Sequence, residues 1–315
     1  MQLIRGLHNL SACQKRFFDG CILTIGNFDG IHLGHQQVLK ALCRTAKQTG
    51  LPTVVMIFEP LPIEYFSPQS APDRLMNLRE KLQAFADTQI DYVLCMPFNA
   101  DFANLTAQEF VKQVLVDALN IKHLVIGDDF RFGKGRLGDY AFLQEAGESF
   151  GFSVTDMPTF CREEERVSST RIRAALQKPD LAEAQRLLGR PFSFNGRVIH
   201  GQKLGRTIGF PTLNLNPKRI QMPVMGVFAV WVDGIADRPW PGVANIGLRP
   251  TVDGVRPSIE VHLFDWDQDL YGRHIDVNLA YFIRPEMKFD GLEALKQQIA
   301  QDAEQARAFF AAGDD

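Results

Sequence analysis

The sequence predicts an α/β module followed by a β module: a doubly wound, mostly parallel sheet first, then a small antiparallel barrel with a closing helix. Three observations predict this. Up to about residue 177, short apolar runs rich in β-branched residues alternate with longer helical patterns, as βαβ units do. From there to about Lys288 the chain is rich in Gly and Pro and carries short strand-like runs, the pattern of a small barrel. All five Cys precede residue 162 and all three Trp follow residue 230. The expected domains are residues 1–180 and 181–315, each long enough to close its own core.

In chain order, Cys21–Ile25, Thr53–Phe58, Tyr92–Cys95 and His123–Ile126 read as strands, with helical patterns at Gln36–Gln48, Asn77–Thr88 and Thr106–Leu119 between them. Open α/β sheets bind ligands beyond the carboxyl ends of their strands, so the loops after Ile25 and Ile126 are where chemistry is expected. Asp180–Leu188 is a short helix. Phe228–Val232, Ile259–Leu263 and Ile275–Phe282 read as barrel strands. From Asp290 to Phe310 a helical period returns, with Leu292, Leu295, Ile299, Ala303 and Ala306 on one face and Asp290 as the expected N-cap.

Composition narrows the function. Hydrophobic residues make up 45% and charged residues 23%, which excludes disordered and fibrous classes. Lys+Arg number 34 against Asp+Glu 37 and neither half is basic, so nucleic acid and anionic membranes are not expected partners. No apolar run reaches transmembrane length and the start lacks a signal-peptide core, so the expected location is the cytoplasm. Cys13, Cys21, Cys43, Cys95 and Cys161 contain no C-x-x-C pair and read as reduced thiols.

Gly26–His35 reads GNFDGIHLGH. Small residues let backbone N–H groups approach phosphate oxygens, and a helix start favours an anion. His32 and His35 lie three apart, on one face of a first helical turn, where two imidazoles could donate to charge building on an α-phosphate. A metal-binding pair is the alternative, without a Cys or a third clear ligand nearby. GDDFRFGKGRLGD, Gly127–Asp139, follows another strand and supplies Arg131, Lys134 and Arg136; it suits a loop over a nucleotide, or simply a solvated loop. VSSTRIR, Val167–Arg173, places hydroxyls at a helix start with Arg173 one turn later, for capping or for phosphate binding.

Taken together and in order, GNFDGIHLGH, FEPLP (Phe58–Pro62), GDDFRFG and SSTRIR resemble the adenylyltransferase module of the bacterial bifunctional riboflavin kinase/FAD synthetase family, a nucleotidyltransferase-type fold. The resemblance implies that His32 and His35 stabilise the transferred α-phosphate, with Gly26, Phe28 and Gly34 in the same phosphate loop. It further implies that Ser169, Thr170 and Arg173 hold ATP phosphates and that Asp129 helps to position the nucleotide. One departure stands out: Leu61 lies between Pro60 and Pro62, where the family usually has histidine, so the polar contact of that histidine is absent.

In the second module, Gly201–Leu215 reads GQKLGRTIGFPTLNL. It is no Walker A loop, since Arg206 follows Gly205. Lys203 or Arg206 supplies charge, and Thr212 and Asn214 share a face with oxygens that suit Mg²⁺; a Gly-rich turn is the alternative. In SIEVHLF, Glu260 alternates with Ile259 and Val261, as a general base in a site or as a solvated carboxylate would. This series, with GVANIGLRPT, EVHLFD, LYG and FIRPEMKFDGLEAL, resembles the riboflavin kinase module of the same family. The resemblance implies a six-stranded barrel and Mg²⁺ held with ATP by Thr212 and Asn214. Glu260 becomes the base on the ribityl 5′-hydroxyl, and a loop with Lys203, Gly205 and Gly209 folds over the phosphates. Arg284 and the last helix contribute to flavin binding.

The function implied is phosphorylation of riboflavin to FMN and adenylylation of FMN to FAD, with riboflavin, FMN and ATP as substrates. Two rivals remain at this stage: a kinase whose first module has lost turnover, motivated by Leu61, and a flavin-binding regulator without catalysis. An RNA-binding loop at Arg131–Arg136 is disfavoured by the charge balance and by the lack of an evident aromatic platform.

Overall fold

The computed structural model describes residues 1–10, 17–201, 209–251 and 254–313. Cys13, Lys203, Gly205 and Arg206 lie outside the described residues. The chain divides into two units, Met1–Pro72 with Lys81–Ser168, and Asp73–Glu80 with Ser169–Asp315.

The first unit holds six strands, β1 (Gln2–Arg5), β2 (Cys21–Ile25), β3 (Thr53–Glu59), β4 (Tyr92–Pro97), β5 (Ile121–Gly127) and β6 (Ser153–Met157). All pair in parallel, in the order β1-β4-β3-β2-β5-β6. Every residue of β2 is buried, as a central strand covered on both faces requires. The central strands coincide with the apolar runs of the sequence, whereas β1 and β6 were not expected. They are the sheet edges, and β6 exposes three of its five residues, so neither shows a continuous apolar run.

Helices α1 (Leu33–Thr49), α2 (Pro62–Phe66), α3 (Leu78–Ala86), α4 (Ala100–Ala103), α5 (Ala107–Glu109) and α6 (Tyr140–Phe150) connect the strands. The segment Phe110–Ala118 continues α5 as a π-helix. A small hairpin of β7 (Cys161–Arg162) and β8 (Glu165–Arg166) follows the sheet. In α1, Leu39, Leu42 and Ala46 bury one face, and Gly50 ends the helix at φ 73°, donating its N–H to Ala46 O at 2.8 Å. The order of strands reverses between β2 and β5. The loops after Ile25 and Gly127 therefore part at this switch point, where a crevice forms.

The second unit begins with α7 (Ser169–Gln177) and α8 (Leu181–Leu188). It continues with β9 (Ser193–Ile199), β10 (Leu213–Leu215), β11 (Gly226–Asp233), β12 (Trp240–Thr251), β13 (Gly254–Leu263) and β14 (His274–Arg284), which close an antiparallel barrel in the order β10-β13-β12-β11-β14-β9. The closing helix is α9 (Leu292–Ala312). Period-2 alternation sorts each strand: Phe228, Val230, Ile259, Val261, Ile275 and Val277 are fully buried. On the alternate face, Val227, Ala229 and Val243 pack with Ala303 and Ala306 of α9. The apolar face of α9 is the one its period predicts. Its cap is not: Gly291 occupies the N-cap position with no side-chain bond, so Asp290 stands one residue too early to close the first turn.

A buried polar cluster explains why Asp73–Glu80 groups with the barrel. The Arg219 side chain is wholly buried and donates to Leu75 O at 2.8 Å and to Glu80 Oε2 at 2.6 Å. Its guanidinium lies 4.7 Å from the centre of the Phe194 ring. Glu80 also accepts from the backbone N–H of Asn77 and Asn195, at 2.7 and 2.9 Å. Removing one member of such a pair strands the other charge in the interior. Arg219→Met should lower unfolding free energy by about 3–5 kcal/mol in urea titrations; a loss below about 1 kcal/mol would show that the pair is dispensable.

Candidate active sites

In the first unit, the turn between β2 and α1 carries the two histidines. Gly26 donates its N–H to Met56 O at 3.1 Å, which ties the loop to the neighbouring strand. Phe28 and Ile31 then take left-handed φ values of 47° and 42°, a cost that L residues bear only where the surroundings enforce it. Phe28 is buried, its ring 5.0 Å from His35. It therefore supports the imidazole from beneath.

His32 is the N-cap of α1, its Nδ1 accepting the backbone N–H of His35 at 3.3 Å. An accepting Nδ1 carries no proton, so in a neutral His32 the proton sits on Nε2. The His32 and His35 rings stack at 3.7 Å with 16° between their planes. A Cβ on residue 34 would lie 3.2 Å from the His32 ring, so Gly34 leaves that ring its place. Burial, then the neighbouring His32 and Lys81, push the His35 pKa well below 6.5. His35 is thus held neutral beside His32 at a helix N-terminus, a place suited to an oxygen that gains negative charge.

A cavity of about 560 Å³ opens beside this loop, lined by Gly26 and Asn27 together with Phe58, Phe66, Phe98, Phe102, Phe130 and Phe132. Phe130 and Phe132 stack at 5.7 Å, and Phe98 meets Phe58 and Phe102 edge-on. Arg131 and Arg136 also line it. This aromatic platform went unnoticed in the sequence. The chain has 24 Phe, and no spacing rule marks these six. Leu61 is buried and stands at the N-cap position of α2, its N–H donating to Glu64 at 2.9 Å. Asp129 is exposed and paired with Arg166 of β8.

Ser169 and Thr170 are the first residues of α7, in the second unit. One turn on, Arg173 donates from Nε to Asp73 O at 2.6 Å, and Gly209 has a left-handed φ of 89°.

The barrel register builds the second site. Asn214 pairs with Glu260, Glu260 with Asn245, Asn245 with Val227 and Val227 with Arg284. Directly opposed residues share a face, so one row crosses five strands on the outer side of the barrel. A cavity of about 310 Å³ lies between this face and α9. Thr212, Asn245, Glu260 and His262 supply its polar wall, and Phe210, Met287, Leu295 and Ile299 its apolar one. His262 donates from Nδ1 to Pro211 O at 2.9 Å, fixing the chain just before Thr212. Arg284 forms a two-pronged pair with Asp302 of α9, both bonds 2.8 Å, so it anchors the helix that roofs the cavity. A Cβ at Gly201 would overlap the Asn214 amide. The oxygen donors Thr212, Asn214 and Glu260 are the chemistry that Mg²⁺ takes.

Burial pushes the Glu286 carboxyl up, against the lowering effect of a hydrogen bond with Asn245. Glu286 also fills the space that a Cβ at Gly247 would occupy. Neither residue was singled out from the sequence.

A family model described as FAD synthetase matches residues 14–171, and one described as riboflavin kinase matches residues 188–310. The bifunctional riboflavin kinase/FMN adenylyltransferase of Escherichia coli K12 is 53% identical over 310 residues, 98% of either chain. Its counterpart in Haemophilus influenzae is 49% identical over 98% of this chain and 99% of its own. A crystal structure described as a macrolide-efflux protein from Streptococcus pneumoniae superposes with a TM-score of 0.75 at 33% identity, over 91% of this chain and 94% of that one. Among the described residues of the present chain, no helix is long and apolar enough to cross a membrane.

The depressed basicity of His35 has a measurable sign. Below pH 6.5 the unfolded chain protonates this residue while the folded chain does not, so its contribution to stability is lost as pH falls. At pH 6, nitrogen NMR of the folded protein should show His35 in its neutral form; an imidazolium signal there would contradict the electrostatics.

Proposed function

Since the chain belongs to the bifunctional riboflavin kinase/FMN adenylyltransferase family, and so makes FMN from riboflavin and FAD from FMN, we propose that the barrel cavity is the kinase site and the aromatic cavity the FMN site of adenylylation. The observation that carries the assignment is the different chemistry of the two places. One presents a carboxylate among oxygen donors, the other two stacked imidazoles beside a group of aromatic rings.

In the kinase, the isoalloxazine of riboflavin lies between Phe210 and the apolar side of α9, with the ribityl chain toward Glu260. The 5′-hydroxyl is a neutral nucleophile, so its proton must leave as the bond to the γ-phosphorus forms. Glu260 accepts it, and ADP departs. Thr212 and Asn214 would hold Mg²⁺, whose charge would offset that of the phosphates. Arg284, bound to Asp302, acts on the flavin by holding α9 in place.

Adenylylation needs no base, because the FMN phosphate is already ionised near neutral pH. An oxygen of that phosphate attacks the α-phosphorus of ATP and pyrophosphate leaves. His32, through Nε2–H, and His35 donate to the charge that builds on the α-phosphate, with the loop of Gly26, Phe28 and Gly34 as their support. The family resemblance assigns the leaving phosphates to Ser169, Thr170 and Arg173, and the orientation of the nucleotide to Asp129. Arg131 and Arg136 suit the FMN phosphate. Leu61 is compatible with this reading because the turn it begins is closed by the Glu64 bond to its backbone, which asks nothing of the side chain. We place the enzyme in the cytoplasm, consistent with its use of ATP and with free thiols at Cys21, Cys43, Cys95 and Cys161.

A chromatographic time course resolving riboflavin, FMN and FAD tests the division of labour. His35→Ala should still make FMN while FAD formation falls by about 100-fold or more. Glu260→Gln should lose about 100-fold or more of riboflavin phosphorylation yet convert added FMN to FAD. Loss of both activities in either folded variant would contradict the assignment.

A further inference from the structure

Lys81 heads the large side chains that are fully buried, at 1% exposure. A lysine is rarely buried unless its ammonium is held. Here Nζ donates to the carbonyl of Asn27 at 2.6 Å, within the loop between β2 and α1. One turn further along α3, Phe85 is also fully buried and meets the Phe28 ring edge-on at 5.6 Å. Phe28 in turn lies against His35. Helix α3 thus grips two consecutive loop residues, one by a charge-assisted bond and one by ring packing. The loop has reason to be gripped, since Phe28, Gly30 and Ile31 all take left-handed φ values and such a backbone persists only where its surroundings hold it.

We propose that Lys81 is a positioning residue for adenylyl transfer: its ammonium fixes the Asn27 carbonyl and, through it, the turn that sets His32 and His35 against the reacting phosphate. The inference rests on the reading of those histidines as donors to the α-phosphate. A second observation agrees, because the charge of Lys81 is among the causes that keep His35 neutral, after burial and His32. His32 and Lys81 are the charged or titratable neighbours that act on that imidazole. Lys81 itself touches no substrate in this account. Its loss should therefore act on the rate of the chemical step, where a misplacement of about 1 Å costs about 100-fold.

The test uses the full chain with Lys81→Met, which keeps length and loses charge, and Lys81→Arg, which keeps charge. Riboflavin phosphorylation by the same polypeptide reports that it is folded. For Lys81→Met the expected result is a kcat for FAD formation lowered about 100-fold, with KM for FMN and ATP little changed and FMN formation as in wild type. Lys81→Arg should recover a large part of the lost kcat. Wild-type kcat in Lys81→Met, or a loss confined to KM, overturns the proposal. If Lys81→Met does not fold, Lys81→Gln replaces it: its kcat must fall and its His35 must protonate at higher pH than in wild type, and no change in either overturns the proposal. His35→Ala run alongside separates the premise. FAD formation at the wild-type rate in that variant defeats the reading of the histidines, whereas an inactive His35→Ala beside a fully active Lys81→Met defeats the role of Lys81 alone.

Discussion

Pairing of β2 with β3 on one side and β5 on the other satisfies its backbone groups and seals all five of its residues from water. A strand so enclosed can present chemistry only where the pairing stops. At Ile25 the chain leaves the sheet and must turn into α1 within a few residues, which leaves the exposed N–H groups of a helix start beside the loop. The same pairing stops on β5 at Gly127, next to the loop that carries Asp129. The position of the first candidate site is thus a consequence of strand order, and its turn carries left-handed residues and a carbonyl that Lys81 binds.

In the second unit, closure acts through register. A barrel without edges allows one pairing for every strand, and this one brings Asn214, Glu260, Asn245 and Arg284 into a single row. The interior is filled by Phe228, Val230, Ile259 and Val261, so no ligand fits inside. The cavity proposed for the kinase lies on the outer face, beside α9. The Arg284–Asp302 pair links the last strand of the barrel to that helix.

The two reactions ask for opposite electrostatics. A sugar hydroxyl must be relieved of a proton, a task that suits a half-buried carboxylate among oxygen donors such as Glu260. A phosphate nucleophile has no proton to give, and the group it attacks needs donors for its growing charge. The imidazole of His35, its basicity suppressed by burial and stacked on that of His32, suits that demand. The aromatic cavity next to it adds surface for a planar ring system, which neither histidine could hold.

Much of this was written in the chain. The loops of His32–His35 and Thr212–Asn214, the alternation around Glu260 and the apolar face of α9 depend on residues near in sequence, so local pattern marks them as candidates, and resemblance to a family gave the loops and Glu260 their roles. The edge strands β1 and β6 were hidden because partial exposure erases the apolar run that marks a strand. Asp290 misled because a good capping residue stood one position from the helix that formed. The Phe cavity, the bond of Lys81 to Asn27 and the Arg219–Glu80 pair join residues far apart in the chain, up to 139 positions in the last case. Local pattern determined the elements and the motifs of this protein, because backbone propensity and periodicity act over a few residues. Which distant side chains meet was decided by the tertiary structure alone, because strand order, register and the exclusion of water are properties of the assembled core.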